Sequence, residues 1–262
     1  MKVAIAQPTY LPWLGYFDLM DQVDVFVLLD SVQFEKQSWQ QRNRLKGTKG
    51  LQWLTVPVKI TGRSTQRIAE VEIAGTDFCT KHLNVIRSNY RNAVWFERYW
   101  YEFSEVLAAS SQTHKLADVT IALIHWFRSS LGIATPLVRS SQLGIEGRRT
   151  QLNLAICKAL GAREYYSALG SAAYLLGDLE LFQLAGISVR FQHYVHPEYK
   201  QQFPPFCSHA STLDLLFNEG PLSTSLIRSG RRTPFWPAEL ANLEKSEATP
   251  KLGQNYTAIS SP

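Results

Sequence analysis

Gln7, Thr9 and Tyr10 stand just beyond one short apolar run, residues 2–6, and Asp30, Ser31 and Gln33 stand just beyond a second, DVFVLL at 24–29. A carboxylate among carboxamides and hydroxyls can take a proton and orient a polar substrate. Asp30 is therefore a candidate general base, and Gln7 a candidate hydrogen-bonding catalytic group. The next stretch, 35–50, carries Lys36, Arg42, Arg44, Lys46 and Lys49 together with Asn43. An arginine fork suits phosphate or carboxylate, so Lys36, Arg42 and Asn43, with Tyr10 and Gln33, are candidate substrate-binding groups. The same charges would equally suit a solvated loop. Far along the chain, His193 and His196 follow an apolar run at 187–192. Two histidines at a strand end supply hydrogen bonds or a general base. Their spacing does not put both on one face after a strand and no third ligand is evident, so no metal is predicted.

Two thiols differ in context. Cys157 lies in an apolar helical stripe with Leu152, Leu154, Ile156 and Leu160 and reads as core. Cys207, in PPFCSH with His209 two residues on, is the better candidate nucleophile, although adjacency in sequence does not fix geometry. Ser167 and Gly170 close a further strand, 164–167, as SALGS. Small residues there can let backbone N–H groups approach an anion, and a plain tight turn is the alternative.

These groups need a frame. Residues 2–6 read as a buried strand stopped at Gln7-Pro8, and 15–23 as a helix with Phe17, Leu19, Met20 and Val23 on one stripe. With the strand at 24–29 they form a βαβ unit, whose strands must run parallel. Ligands of such sheets bind beyond the carboxyl ends of the strands, which would deliver Gln7 and Asp30 into one crevice edged by Arg42. Strands are also expected at 53–58, 71–74, 137–139 and 187–192, and helices at 150–160, stopped by Gly161, and 212–218. Residues 77–131 read as mainly helical, with Trp95, Tyr99, Trp100, Tyr101, Phe103, Trp126 and Phe127 at core spacing. The tail beyond Arg231 reads as loop. The expected fold is thus α/β, a mostly parallel sheet flanked by helices with a mainly helical insertion or lid. Its divisions are an N-terminal α/β half (1–75), the helical layer (76–132) and a C-terminal α/β half with tail (133–262).

Composition bounds the function. The chain has 262 residues, 45% of them hydrophobic and 19% charged, which excludes a disordered or collagen-like protein. A net charge of +5 favours anionic small molecules, yet acidic residues are interleaved and no basic stripe occurs, so nucleic acid is not an expected partner. Three scattered cysteines suggest neither a disulfide framework nor a zinc site. No apolar run is long enough to span a membrane, and the N-terminus does not read as a signal peptide, so a cytoplasmic location without membrane insertion is expected. P-loop, dinucleotide-binding, zincin and hydrolase-elbow signatures are all missing.

Four blocks in order carry a resemblance: QPTYLPWLGYF at 7–17, the DSVQF…K…W…RN pattern from Asp30 to Asn43, YYSALGSAAYL at 165–175, and HPEYKQQFPPF followed by STLDLLFNEGP, ending at Pro221. Together they resemble the WbqC-like family of bacterial proteins across almost the whole chain. The resemblance implies a link to O-antigen and other surface-glycan biosynthesis. Carried over by motif are Gln7, Pro8, Gly15, Tyr16, Asp30, Gln33, Arg42 and Asn43, and then Ser167, Gly170, Tyr174, Tyr199, Gln201, Phe206, Asp214 and Asn218. Tyr199 and Gln201 thereby join the candidate substrate-binding residues. Where many relatives write a small-residue SG turn, this chain has Ser167-Ala168-Leu169-Gly170.

The combined expectation is a transferase acting on a nucleotide-linked amino sugar or other phosphorylated substrate, with acyl or aminoacyl transfer as the reaction. No resident cofactor is predicted; a nucleotide or acyl donor would be a substrate. A nucleotidyltransferase-like enzyme is an alternative, weakened because Tyr10 and Tyr16 stand where its histidines would be. A non-catalytic binding or scaffold subunit of a glycan assembly complex is another. A homodimer is left open.

Overall fold

A computed structural model of the chain describes residues 1–75 and 77–240. Five strands, β1 (Lys2–Ala6), β2 (Val25–Leu28), β5 (Leu137–Arg139), β6 (Glu164–Ser167) and β7 (Ser188–Phe191), form one sheet in the order β5-β2-β1-β6-β7. Every pairing in it is parallel. The expected βαβ unit is present: α1 (Leu14–Asp21) joins β1 to β2, and Ala6 lies level with Leu28.

Alternating side chains make the strands two-faced. Ala4, Phe26, Leu28 and Tyr166 face a large core shared with α1 and with α2 (Asp77–Tyr90), α3 (Phe96–Ser111) and α4 (Leu116–Ser130). That core also takes α8 (Thr212–Glu219) and α9 (Ser223–Ser229). Val3, Ile5, Val27, Tyr165 and Val189 face a second core with α5 (Arg149–Ala159), α6 (Ala172–Leu175) and α7 (Leu179–Leu184). Both sheet faces are therefore covered by helices, as a parallel sheet requires. The aromatic residues of 77–131 mostly pack inward, Phe103 and Phe127 being fully buried, but Tyr101 departs from the expected core set and is 74% exposed on the outer face of α3. Each buried ring contributes roughly 2–3 kcal/mol of apolar burial.

Two expectations changed. The basic stretch 35–50 contains a strand, β3 (Arg42–Gly47), which pairs antiparallel with β4 (Gly50–Thr55). The second strand of this hairpin therefore ends before the expected 53–58 does. Apolar alternation was hidden because the inward positions include Asn43 and because Lys46 is also buried. Gly50, at φ 103°, permits the reversal. Residues 71–74 form only isolated bridges, Glu72 to Lys115 and Ile73 to Val58. The part of the expected tail loop at 241–262 lies outside the described residues. Among the described residues no helix is long and apolar enough to cross a membrane.

Candidate functional site

The loop after β1 is built by its own polar residues. Tyr10 is fully buried: its N–H donates to the Trp39 carbonyl at 2.9 Å, and its hydroxyl shares a 2.8 Å hydrogen bond with Nδ1 of His82. Asn43 donates through Nδ2 to the carbonyls of Tyr10 and Leu11, at 3.1 and 2.7 Å. These bonds hold Leu11 at φ 47°, an uncommon conformation for a branched residue. The loop then delivers Trp13, whose ring stacks on His209 and His196 with centroids 5.2 and 6.3 Å away. Gly15 leaves room for that ring, since a Cβ there would sit 2.3 Å from it.

His196 and His209 lie 5.0 Å apart, centroid to centroid, and His196 is further flanked by Tyr199 and Phe206. Nδ1 of His196 is 2.8 Å from the Pro197 carbonyl, so it carries the proton; the buried Nε2 has no partner among the described residues. Burial, aided by His209, lowers the His196 pKa to about 4. At neutral pH the ring is therefore uncharged, with an unpaired lone pair on the buried Nε2. Burial and the Arg44 charge push His209 down as well.

Arg42 and Arg44 project from alternate positions of β3, on one face. The Arg42 guanidinium lies 4.4 Å from the Trp53 ring, and that of Arg44 lies 5.4 Å from Trp39 and 5.5 Å from Trp53. Among the described residues neither arginine has an acidic partner, and Nε of Arg44 is buried without any partner. Stacked cations with no counter-ion, beside an aromatic wall, can take an anion together with a planar ring.

Behind this wall is a buried carboxylate. Asp214 stands in the first turn of α8, whose N-cap Ser211 accepts from the Leu213 N–H at 3.2 Å. It accepts from Tyr90 Oη at 2.8 Å, Tyr199 Oη at 2.7 Å and Gln201 Nε2 at 2.9 Å. Burial raises its pKa, opposed by those hydrogen bonds and by the Lys46 charge. Gln201 also grips Cys207 through both backbone groups, donating to its carbonyl at 3.0 Å and accepting its N–H at 2.8 Å.

The other expected residues are distributed elsewhere. Asp30 is completely buried, and its carboxylate accepts from Arg139 Nε, Ser140 Oγ, and both the N–H and Oγ of Ser141 at 2.8–3.2 Å. It ties the end of β2 to the segment after β5. Gln7 instead accepts from Gln40 Nε2 at 2.8 Å. The strand ends are adjacent, with the Leu29 N–H donating to Ala6 O, yet the two side chains engage different partners. Gln33 bonds the Ser64 carbonyl, and Lys36 is exposed. His193 stacks on Phe235 at 4.2 Å, away from the partners of His196. Ser167 is buried near Tyr165, whose ring belongs to the second core, and Gly170 follows in a short helical turn. The structure thus gathers Arg42, His196, Tyr199 and Gln201 around one cluster, whereas Asn43 faces inward from β3 and serves the Tyr10 and Leu11 carbonyls. Trp13, Arg44, Lys46 and Trp53 join them without having been singled out as site residues. The available signal for Arg44 was its i, i+2 spacing from Arg42.

Comparisons bear on the whole assembly. The model of the WbqC-like protein family matches residues 7–226, which include every residue of this cluster. The uncharacterized protein Rv1507c of Mycobacterium tuberculosis is 36% identical over 235 residues, covering 88% of this chain and 99% of that protein. No solved structure matches. With four of the five sheet strands, the hairpin and the α8 segment inside the matched span, the chain belongs to the WbqC-like protein family.

Proposed function

We propose that the protein is a transferase of surface-polysaccharide biosynthesis that moves an acyl or aminoacyl group onto a nucleotide-linked amino sugar. The observation that carries this reading is the pair of arginines, Arg42 and Arg44, stacked on Trp53 beside the histidine cluster and without a counter-ion among the described residues. The guanidiniums would hold the diphosphate, and Trp39 and Trp53 offer faces for the base. His196, neutral with Nε2 unpartnered but buried, would accept the proton lost as the sugar amine attacks the donor carbonyl once substrate parts the surrounding rings. Tyr199 and Gln201, oriented by Asp214, fix the wall behind it.

Calorimetry with UDP- and dTDP-linked amino sugars tests the reading. Binding is expected, and Arg42→Ala or Arg44→Ala should each weaken it about tenfold, because a charged hydrogen bond contributes roughly 1.5–3 kcal/mol. No heat with any nucleotide-sugar or acyl donor, together with unchanged glycan composition in cells carrying both variants, would overturn it.

A further inference from the structure

The three thiols of the chain have very different surroundings. Cys79 and Cys157 are buried, whereas Cys207 is half-exposed. Its sulfur lies 3.0 Å from Nζ of Lys46, a lysine only 1% exposed. Nζ also donates to the Pro205 carbonyl at 2.6 Å. Among the described residues no carboxylate is within ion-pair distance of this amine. A buried lysine ordinarily has such a partner, and here its nearest reactive neighbour is sulfur. Neither group is free to drift: Lys46 is anchored in β3, where its N–H donates to Tyr90 Oη at 3.0 Å, and Gln201 clamps both backbone groups of Cys207.

We propose that Cys207 and Lys46 form a covalent crosslink under oxidants, the Lys46 amine capturing the oxidised sulfur. With hydrogen peroxide as the oxidant, the thiol sulfur attacks one peroxide oxygen, the O–O bond breaks, and a sulfenic acid and water result. The amine, having released a proton, then attacks sulfur; the S–N bond forms as the S–O bond breaks, and the hydroxyl leaves as water. In sum, thiol, ammonium and peroxide give a sulfenamide, two waters and one proton. Sulfur loses the two electrons that peroxide gains. The product would bind the β3 hairpin to the segment before α8 and remove the Lys46 positive charge from the neighbourhood of Asp214. This inference is independent of the transferase reading.

Peptide mapping of the full-length wild-type protein after mild peroxide treatment decides it. The peptides holding Lys46 and Cys207 should appear joined, two hydrogens lighter than their sum. Trypsin should no longer cut after Lys46, and dithiothreitol should release both. Cys207→Ser should abolish the joined species. Recovery of Cys207 as free thiol, as a dimedone-trapped sulfenic acid or as sulfinic acid, with Lys46 still cleaved, would overturn the proposal. So would joining through Cys79 or Cys157.

Discussion

Asp30 and His196 both follow strands of the same sheet, yet their surroundings are opposite. Asp30 has a cation and three further donors on its carboxylate, leaving no exposed surface. His196 has a neighbouring histidine and, among the described residues, a buried nitrogen with no donor and arginines nearby that lack acids. A polar group with every lone pair occupied holds elements together; a polar group left open at energetic cost is available to a ligand. A third cluster supports this distinction. Asp18 in α1 accepts from Gln192, Gln22 and Arg231, and Asp21 pairs with Arg228 and Arg231. Burial raises the Asp18 pKa, only partly offset by those donors. At Asp21 burial acts the same way, but the two arginines outweigh it and hold the carboxyl below its ordinary range. Both carboxylates strap α1 to the end of α9 and the segment after it.

The sharpest way to break the contrast is Asp30→Ala. Loss of a buried, cation-paired carboxylate should cost about 3 kcal/mol in urea denaturation, while nucleotide-sugar affinity of the folded protein stays within about twofold. Full stability with abolished turnover would return Asp30 to the catalytic machinery.

Acid titration gives the next effect. Burial lowers both His82 and His196 to about 4 from an ordinary 6.5. The unfolded chain then takes up protons that the native state refuses, so this contribution to stability is complete above about 6.5 and is lost as pH falls toward 4. Between pH 7 and 5 the decline should be on the order of 2 kcal/mol for each histidine, about 4 kcal/mol together, read as a shift in urea midpoint. His196→Gln should roughly halve it, leaving the His82 share; an unchanged slope would mean that His196 is not held neutral.

The smallest expected change comes from Gly15→Ala, whose Cβ would displace the Trp13 ring from the histidine pair. The stacking lost is about 1 kcal/mol. Substrate affinity should fall a few-fold with a shifted tryptophan emission, and unaltered affinity would remove Trp13 from the site wall.

Much of the frame was legible because strong local signals agreed with burial. The strands 2–6, 137–139 and 164–167 occupy the ranges read from their apolar runs, and the helix expected at 150–160 ends before Gly161, which adopts φ 67°. The β3–β4 hairpin was not legible. Its inward face is filled by Asn43 as well as Leu45, and nothing local says that Asn43 will satisfy the carbonyls of Tyr10 and Leu11.

Sequence alone determined the βαβ start, the parallel sheet and the family, because periodicity and ordered motifs act over short stretches of chain. Only the tertiary structure decided which polar residues are saturated and which are open. That depends on partners far away in sequence: Arg139 for Asp30, Asp214 for Tyr90, Cys207 for Lys46. A side chain's chemistry is set by the donors, charges and water it meets, and packing chooses those.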